Sequence, residues 1–383
     1  MIKIIRTSTI STSLNILLKG QLKKLSEEFE IIALSSNDGH LEEVSSREKV
    51  KTIAVDMERG ISPIKDLISL LKLYRQFKKE KPTVVHSITP KAGLLTMLAG
   101  KMAGVPVRMH TFTGLIFPTR TGLMQKFLIK MDQLLCWAAT HVYPEGNGVK
   151  NDLIRFKITS KPLKVLANGN VNGIDLNFFS LDAVSAEKKQ ILNVELKIAA
   201  DDFVFVFVGR LVGDKGINEL VKAFSLIKNQ KVKLLLVGSF EPQLDPLMPS
   251  TLYEIAINAN IISVGFQNDV RPYFAISDAL IFPSYREGFP NVVIQAGAME
   301  LPSIVSDISG CNEIIVNGRN GIIIPVKDSE AIKLTMHKMM DDKKFYEEMK
   351  ENTRPMVESR YNQQLVWNAV AQEYKLIISQ LKK

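Results

Sequence analysis

The sequence predicts an α/β protein built from two doubly wound parallel-sheet domains. Three observations carry this. Short Ile/Val/Leu-rich runs alternate with helical stretches through the first 170 or so residues, the pattern of βαβ units. The alternation halts at a turn-rich stretch and then restarts. The strands of the second series are almost continuously apolar, as strands covered on both faces must be.

In the first series MIKIIRT, EIIALSS, VKTIAV, TVVHSIT, VPVRMHT, THVYP and LKVLANG read as strands. Between them, SPIKDLISLLKLYRQFKKE has apolar residues at helical spacing behind a serine start, and KAGLLTMLAGKMAGV is a small-residue helix suited to close packing on a sheet. Asn-Gly occurs twice in NGNVNGIDLNFFSLDAVSAEKKQ, residues 168–190, which marks the linker. FVFVFVGR, VKLLLVGS, IISVGF, ALIFPS, PSIVSD and GIIIP form the second series of strands. The expected domains are 1–172 and 173–361, with a last helix, 362–383, crossing back to the first domain. Two such domains would leave a cleft, and ligands of these sheets sit beyond the C-terminal strand ends.

A chain of 383 residues suits two domains, and 46% hydrophobic with 23% charged residues is the balance of an ordinary globular protein. No apolar run approaches the roughly 20 residues that span a bilayer. The N-terminus, broken by Arg6 and a Ser/Thr run, reads as a first strand rather than a signal peptide. Cys136 and Cys311 stand in unrelated settings, which fits reduced thiols in the cytoplasm. Residues 1–170 hold 26 Lys/Arg against 14 Asp/Glu, and the remainder 23 against 26. A basic first half implies an anionic partner: a lipid headgroup surface, a phosphorylated acceptor or nucleic acid, unless it is a plain solvated surface. No aromatic-rich basic motif supports nucleic acid. The segment Arg120–His141, with Lys126 and Lys130 among Met, Phe, Leu and Ile, reads either as a helix lying on an anionic membrane or as one packed on the sheet.

Two stretches carry the chemistry. In FVFVFVGRLVGDKGINELVKAF a strand ends at Gly209-Arg210, and Lys215 follows just before a helix. Two cations beside free helix N–H groups make an anion site, unless the stretch is a surface loop with two solvated charges. In ALIFPSYREGFPNVVIQAGAM a second strand end turns through Glu287, Gly288, Phe289 and Pro290 into a helix, with Pro290 suited to its first position. Gly288 permits close backbone approach, and the amides near Asn291 and Val292 face the same cleft. A diphosphate would be held by both stretches, and Glu287 would accept hydrogen bonds from ligand hydroxyls. Gln295, two helical turns on, puts an amide on an apolar face.

GRLVGDKG and EGFPNVVIQAGAMELPSIVSDISGCNEII, in this order and spacing, resemble the retaining glycosyltransferases of family 4, of GT-B fold. HSITPKAGLLTMLAGKMAGVPVRMHTFTG is similar to the acceptor-side motif of its bacterial surface-polysaccharide members. The resemblance covers essentially the whole chain. It implies a nucleotide-sugar donor held by the C-terminal domain: Arg210 and Lys215 match the diphosphate-binding pair, and Glu287 matches the first Glu of the E-x7-E motif, which contacts the donor sugar. The backbone from Gly288 to Val292 matches the loop gripping sugar and phosphate. Gly209, Gly265 and Phe266 join the donor-side set. Gln295 stands where the family has a second Glu for the ribose; an amide still accepts one hydrogen bond and can donate. Thr113 stands where many members have His, with His110 three residues earlier and closer to the strand, either a structural residue or one that touches substrate. Ser11, Thr12 and Ser13, on the acceptor side, occupy the place of a Gly-Gly loop.

No D-x-D occurs, and His40, His86, His110, His141 and His337 have no metal-ligand spacing. No metal and no cofactor are therefore expected. The reading is a retaining transferase moving a hexosyl or N-acetylhexosaminyl group from a nucleotide-diphosphate sugar, UDP-sugar first, to a lipid-linked or oligosaccharide acceptor. It would work in the cytoplasm or on the inner face of the cell membrane, in peripheral contact through the basic N-terminal domain. The alternatives are a nucleotide-sugar epimerase of the same fold and a non-catalytic membrane or nucleic-acid binder.

Overall fold

The computed structural model describes residues 1–381 apart from Leu244, with Thr119 given by its backbone alone. The chain divides into two compact units, one of Met1–Gly173 with the C-terminal stretch from Gln363, the other Ile174–Asn362. Both points where the chain crosses lie side by side: Ile174 N–H donates to Tyr361 O at 2.8 Å, and Ile174 bridges Asn362.

The N-terminal unit holds six parallel strands: β1 (Lys3–Ile10), β2 (Glu30–Ser36), β3 (Lys51–Ala54), β4 (Val84–Ser87), β5 (Val107–Phe112) and β6 (His141–Pro144). Their order is β3-β2-β1-β4-β5-β6. Alternation along each strand sends neighbours to opposite faces. Ile5, Ile32 and Val85 enter one core, while Ile4, Ile31 and Val84 enter the other. Both faces are covered, which is why these strands are written as unbroken apolar runs. The second face is closed by the C-terminal helix Gln363–Gln380, through Val370, Tyr374, Ile377 and Ile378. Each aliphatic side chain so buried contributes about 1.5–3 kcal/mol relative to exposure. Residues 382 and 383 of the expected last helix lie outside the described residues.

The C-terminal unit repeats the plan with β7 (Phe203–Val208), β8 (Val232–Val237), β9 (Ile261–Gly265), β10 (Ala279–Phe282), β11 (Ser303–Ser306) and β12 (Gly321–Ile324), in the order β12-β11-β10-β7-β8-β9. In each sheet the winding reverses beside its first strand, between β1 and β4 and between β7 and β10. Such switch points open a crevice at the C-terminal strand ends.

LKVLANG, read as a seventh strand, is not one. It bridges β6 once, Leu163 to Val142, and then itself, Ala167 to Gly169, where Ala167 and Asn170 take positive φ. The Asn170 side chain there accepts from the N–H groups of Asn172 and Gly173, turning the chain instead of extending it. The helix Pro63–Glu80 starts as expected behind Ser62, but the serine hydroxyl does not cap it; Asp66 reaches back to accept from Ser62 N–H at 3.2 Å. Pro290 is the N-cap of the helix Asn291–Ala298, one place earlier than its expected first helical position.

Candidate active site

At the switch point of the C-terminal sheet, the loops leaving β7 and β10 are bound into one piece. The first runs through Gly209 and Arg210 to a 3₁₀ turn, Gly213–Lys215. Gly216 then takes φ +72° and opens the helix Ile217–Ser225. A Cβ on Gly216 would stand 2.1 Å from the carbonyl oxygen of Pro283, just past β10. Tyr285 N–H donates to Asp214 O at 2.9 Å, Arg286 pairs with Asp214 at 3.0 Å, and Tyr285 Oη donates to Glu219 at 2.6 Å. Gly216 is the residue that lets these two loops meet.

Lys215 and Glu287 come together in that piece. The Lys215 ammonium forms an ion pair with Glu287 Oε1, and Ser284 Oγ donates to the same oxygen at 2.8 Å. Both charged side chains are largely shielded, 15% and 17% exposed, so the pair sits in a medium where it is worth more than a surface bridge. Arg210 has a different partner: it is 44% exposed, with Nη1 3.1 Å from Glu241. The two cations expected at one anion site thus each hold a carboxylate in the free protein.

The loop from Gly288 to Pro290 is backed by Gly310, at φ +78°, where a Cβ would meet Gly288 O at 2.4 Å. Gly288 itself does not take positive φ, so close approach here is the work of Gly310 rather than Gly288. The Phe289 ring is buried edge-on against Tyr361, centroids 5.6 Å apart, leaving only its backbone to a ligand. Asn291 and Val292 open the helix, and Pro290 as N-cap supplies no side-chain acceptor to its first turn. The Gln295 amide is partly exposed and has no hydrogen-bond partner among the described residues, so it is not the satisfied core amide that an apolar face would demand. Gly265 ends β9, two strands away from β7, and Phe266, which follows it, is exposed.

The expected acceptor-side set fares unevenly. Ser11 and Thr12 spend their hydroxyls on Asp38, Thr12 at 2.5 Å; burial pushes this carboxyl up, but those hydrogen bonds outweigh it and bring it down to about 2. His110 is a core residue, 1% exposed. Its Nδ1 shares a 2.7 Å hydrogen bond with Ser87, its ring meets Phe112 edge-on, and burial lowers it to about 3. Thr113 donates to Ile88 O at 2.9 Å. Ser13 lines a cavity of about 580 Å³ at the C-terminal ends of β1, β4 and β5, beside the switch point; the other four are not part of its lining.

Glu241, Ser284, the Asp214–Arg286 pair and Asp132 went unmarked in the sequence reading. Glu241 follows the end of β8 by four residues, and that strand-end position was the available signal. Asp132 lines the N-terminal cavity, and burial pushes its carboxyl up to about 7. Among the described residues no group of three or more His, Cys, Asp or Glu is arranged to hold a metal ion, and no helix is long and apolar enough to cross a membrane.

Two doubly wound sheets, each with its crevice at a switch point, define a protein of GT-B fold. The Anabaena protein HepE, solved with UDP and glucose, superposes with a TM-score of 0.82 over 98% of this chain and 100% of its own, at 16% identity. Residues 16–171 match the family model described as Glycosyltransferase Family 4, and residues 188–356 match that of Glycosyl transferases group 1. The capsular polysaccharide biosynthesis glycosyltransferase CapM of Staphylococcus aureus is 32% identical over 99% of this chain and 98% of its own. The UDP-Gal:alpha-D-GlcNAc-diphosphoundecaprenol alpha-1,3-galactosyltransferase of Escherichia coli is 28% identical over 83% of this chain and 81% of its own. This chain belongs to glycosyltransferase family 4, and it is a glycosyltransferase of the surface-polysaccharide type. That assignment displaces the epimerase and the non-catalytic binder.

Proposed function

We propose that the enzyme transfers a sugar, with retention of configuration, from a UDP-sugar to a hydroxyl of a lipid-linked saccharide, without a metal ion. The observation that carries this is the Lys215–Glu287–Ser284 cluster at the β7/β10 switch point, with Arg210 beside it on the same strand end. In this reading the donor diphosphate takes Lys215 and Arg210 from their carboxylates. Glu287, released, accepts from the sugar hydroxyls, and Gln295 meets the ribose.

The sugar C1–O bond breaks with its electron pair leaving on the diphosphate. The two cations, already placed on the diphosphate when the donor bound, and the first-turn amides of Asn291–Ala298 neutralise that charge with little further reorganisation. The acceptor oxygen bonds to C1 from the face the diphosphate leaves, and its proton passes to the departing phosphate. The acceptor assignment draws support from the diphosphoundecaprenol substrate in the name of the Escherichia coli relative, and from the net +12 of residues 1–170. The helix Gly122–Ala138 exposes Leu123, Met124 and Phe127 beside Lys126 and Lys130, a composition suited to an anionic bilayer surface. This favours the inner face of the cell membrane.

The test is transfer from a labelled UDP-sugar panel to lipid-linked acceptors, with wild type and Arg210→Ala. Arg210 is half-exposed, so its removal should leave the melting temperature in place while cutting turnover roughly 10²–10³-fold. Undiminished turnover in the variant would remove Arg210 from the reaction. Failure of wild type to transfer from any UDP-sugar would refute the donor assignment.

A further inference from the structure

The cavity of the N-terminal unit has the wrong lining for a saccharide. Ile10, Leu94, Leu95, Phe112, Leu128 and Met131 make its walls, and about 580 Å³ is the size of a small-molecule site, roughly 300–1,000 Å³. A sugar there would lose its water without gaining enough hydrogen bonds in return. Nor does the apolar lining stop at the mouth. Ile61, Ile116 and Phe127 line the cavity and are exposed as well, so the apolar surface runs from inside to outside. Leu123 and Met124 lie four and three residues before Phe127 on one helical face, and Ile64 adjoins the lining residue Pro63; all three are exposed. Scattered single apolar residues need no explanation, but a patch continuous with a cavity does.

One end of the cavity is charged. Arg59 lines it and is exposed, with no carboxylate partner among the described residues, whereas the neighbouring Lys91 is neutralised by Asp66 at 2.7 Å. Ser13 and Thr89, at the ends of β1 and β4, line it too. Asp132, the other carboxyl of the lining besides Asp66, is pushed toward its neutral form by burial and so opposes an anion less than a free carboxylate would. An apolar chamber that opens onto apolar surface and carries an unpaired guanidinium is complementary to an amphiphile: a long hydrocarbon chain ending in phosphate.

We infer that this cavity binds the first isoprenoid units of the acceptor's polyprenyl diphosphate, with Arg59 on the diphosphate. The inference rests on the acceptor reading proposed above and adds to it where the lipid goes. The chain enters from the bilayer across Ile61, Ile116 and Phe127, so the enzyme recognises the carrier lipid itself and not only the saccharide it bears.

Farnesyl diphosphate is a soluble probe of this. Its binding to the full-length protein is measured by calorimetry under saturating UDP, which occupies the donor site. Inorganic diphosphate and the neutral amphiphile dodecyl maltoside serve as comparators. Wild type should bind farnesyl diphosphate at least tenfold more tightly than either comparator. Leu94→Trp, which fills the cavity, and Arg59→Ala, which removes the cation, should each weaken it about tenfold or more while leaving UDP binding unchanged. Intact UDP binding also shows that the variants are folded. Binding no tighter than that of inorganic diphosphate, equal binding of the neutral amphiphile, or indifference to Leu94→Trp would each overturn the assignment. Equal transfer rates to acceptors with and without a prenyl chain would overturn it while leaving the proposed reaction standing. Absence of transfer to any acceptor would sink the reaction, and the binding experiment would still decide the cavity.

Discussion

His110 is held neutral by burial, with its Nε2 lacking a partner among the described residues and Gly93 making room for its ring. The folded protein therefore refuses a proton that the unfolded chain accepts below its ordinary value of 6.5. The unfolded state binds more protons across this range, so stability rises with pH, is complete above about 6.5 and is lost as pH falls toward about 3. One such group contributes a slope of up to about 1.4 kcal/mol per pH unit. His86, fully buried and also depressed by its surroundings, acts in the same direction, while Asp132, raised to about 7, opposes both below that pH. Urea unfolding of wild type and His110→Gln at steps from pH 7.5 to 5 isolates the one histidine. The variant should decline less steeply between pH 6.5 and 5, and parallel profiles would contradict the burial argument. Its place nearer the strand than Thr113 pointed to a structural role without deciding it, since a histidine near a strand end reads much the same whether it faces a ligand or the next helix. Lys215 and Glu287 were both legible as site residues, but their pairing was not. The 72 positions between them close only when β7 and β10 become neighbours.

At the scale of elements, the loops after β7 and β10 behave as one rigid part because Gly216 has no side chain. Gly216→Ala puts a Cβ into the Pro283 carbonyl and a non-glycine residue at φ +72°. The backbone conformation alone costs about 1–2 kcal/mol, and relieving the clash shifts one loop against the other. We expect a lower urea midpoint together with weakened UDP binding; a variant as stable as wild type would show that the loops are not interlocked there. Ten of the twelve strands lie wholly within the runs named from the sequence, because covered parallel strands leave dense Ile/Val/Leu writing; β1 oversteps its run by three residues, Ser8 to Ile10, and β5 by one, Phe112. LKVLANG carries the same writing yet turns, since Ala167, Gly169 and Asn170 adopt positive φ within four residues. Composition registers hydrophobicity but not that local choice. The Arg210–Glu241 pair was hidden for the same reason as Lys215–Glu287: the ends of β7 and β8 meet through topology, not through sequence.

At the scale of the molecule, charge and chemistry are divided between the two units. The basic, apolar-faced N-terminal unit carries the cavity and the exposed helix Gly122–Ala138, while the C-terminal unit carries the Lys215–Glu287 cluster. The central claim is that the C-terminal unit grips a nucleoside diphosphate with fixed protein charges in place of a metal. Calorimetric titration of UDP in the presence of EDTA, into wild type and Arg210→Ala, tests it most directly. Wild type should bind UDP equally well with and without EDTA. Arg210→Ala should weaken binding about 10- to 150-fold, the loss of one charge-assisted hydrogen bond of roughly 1.5–3 kcal/mol. UDP binding abolished by EDTA, or unchanged in Arg210→Ala, would contradict it.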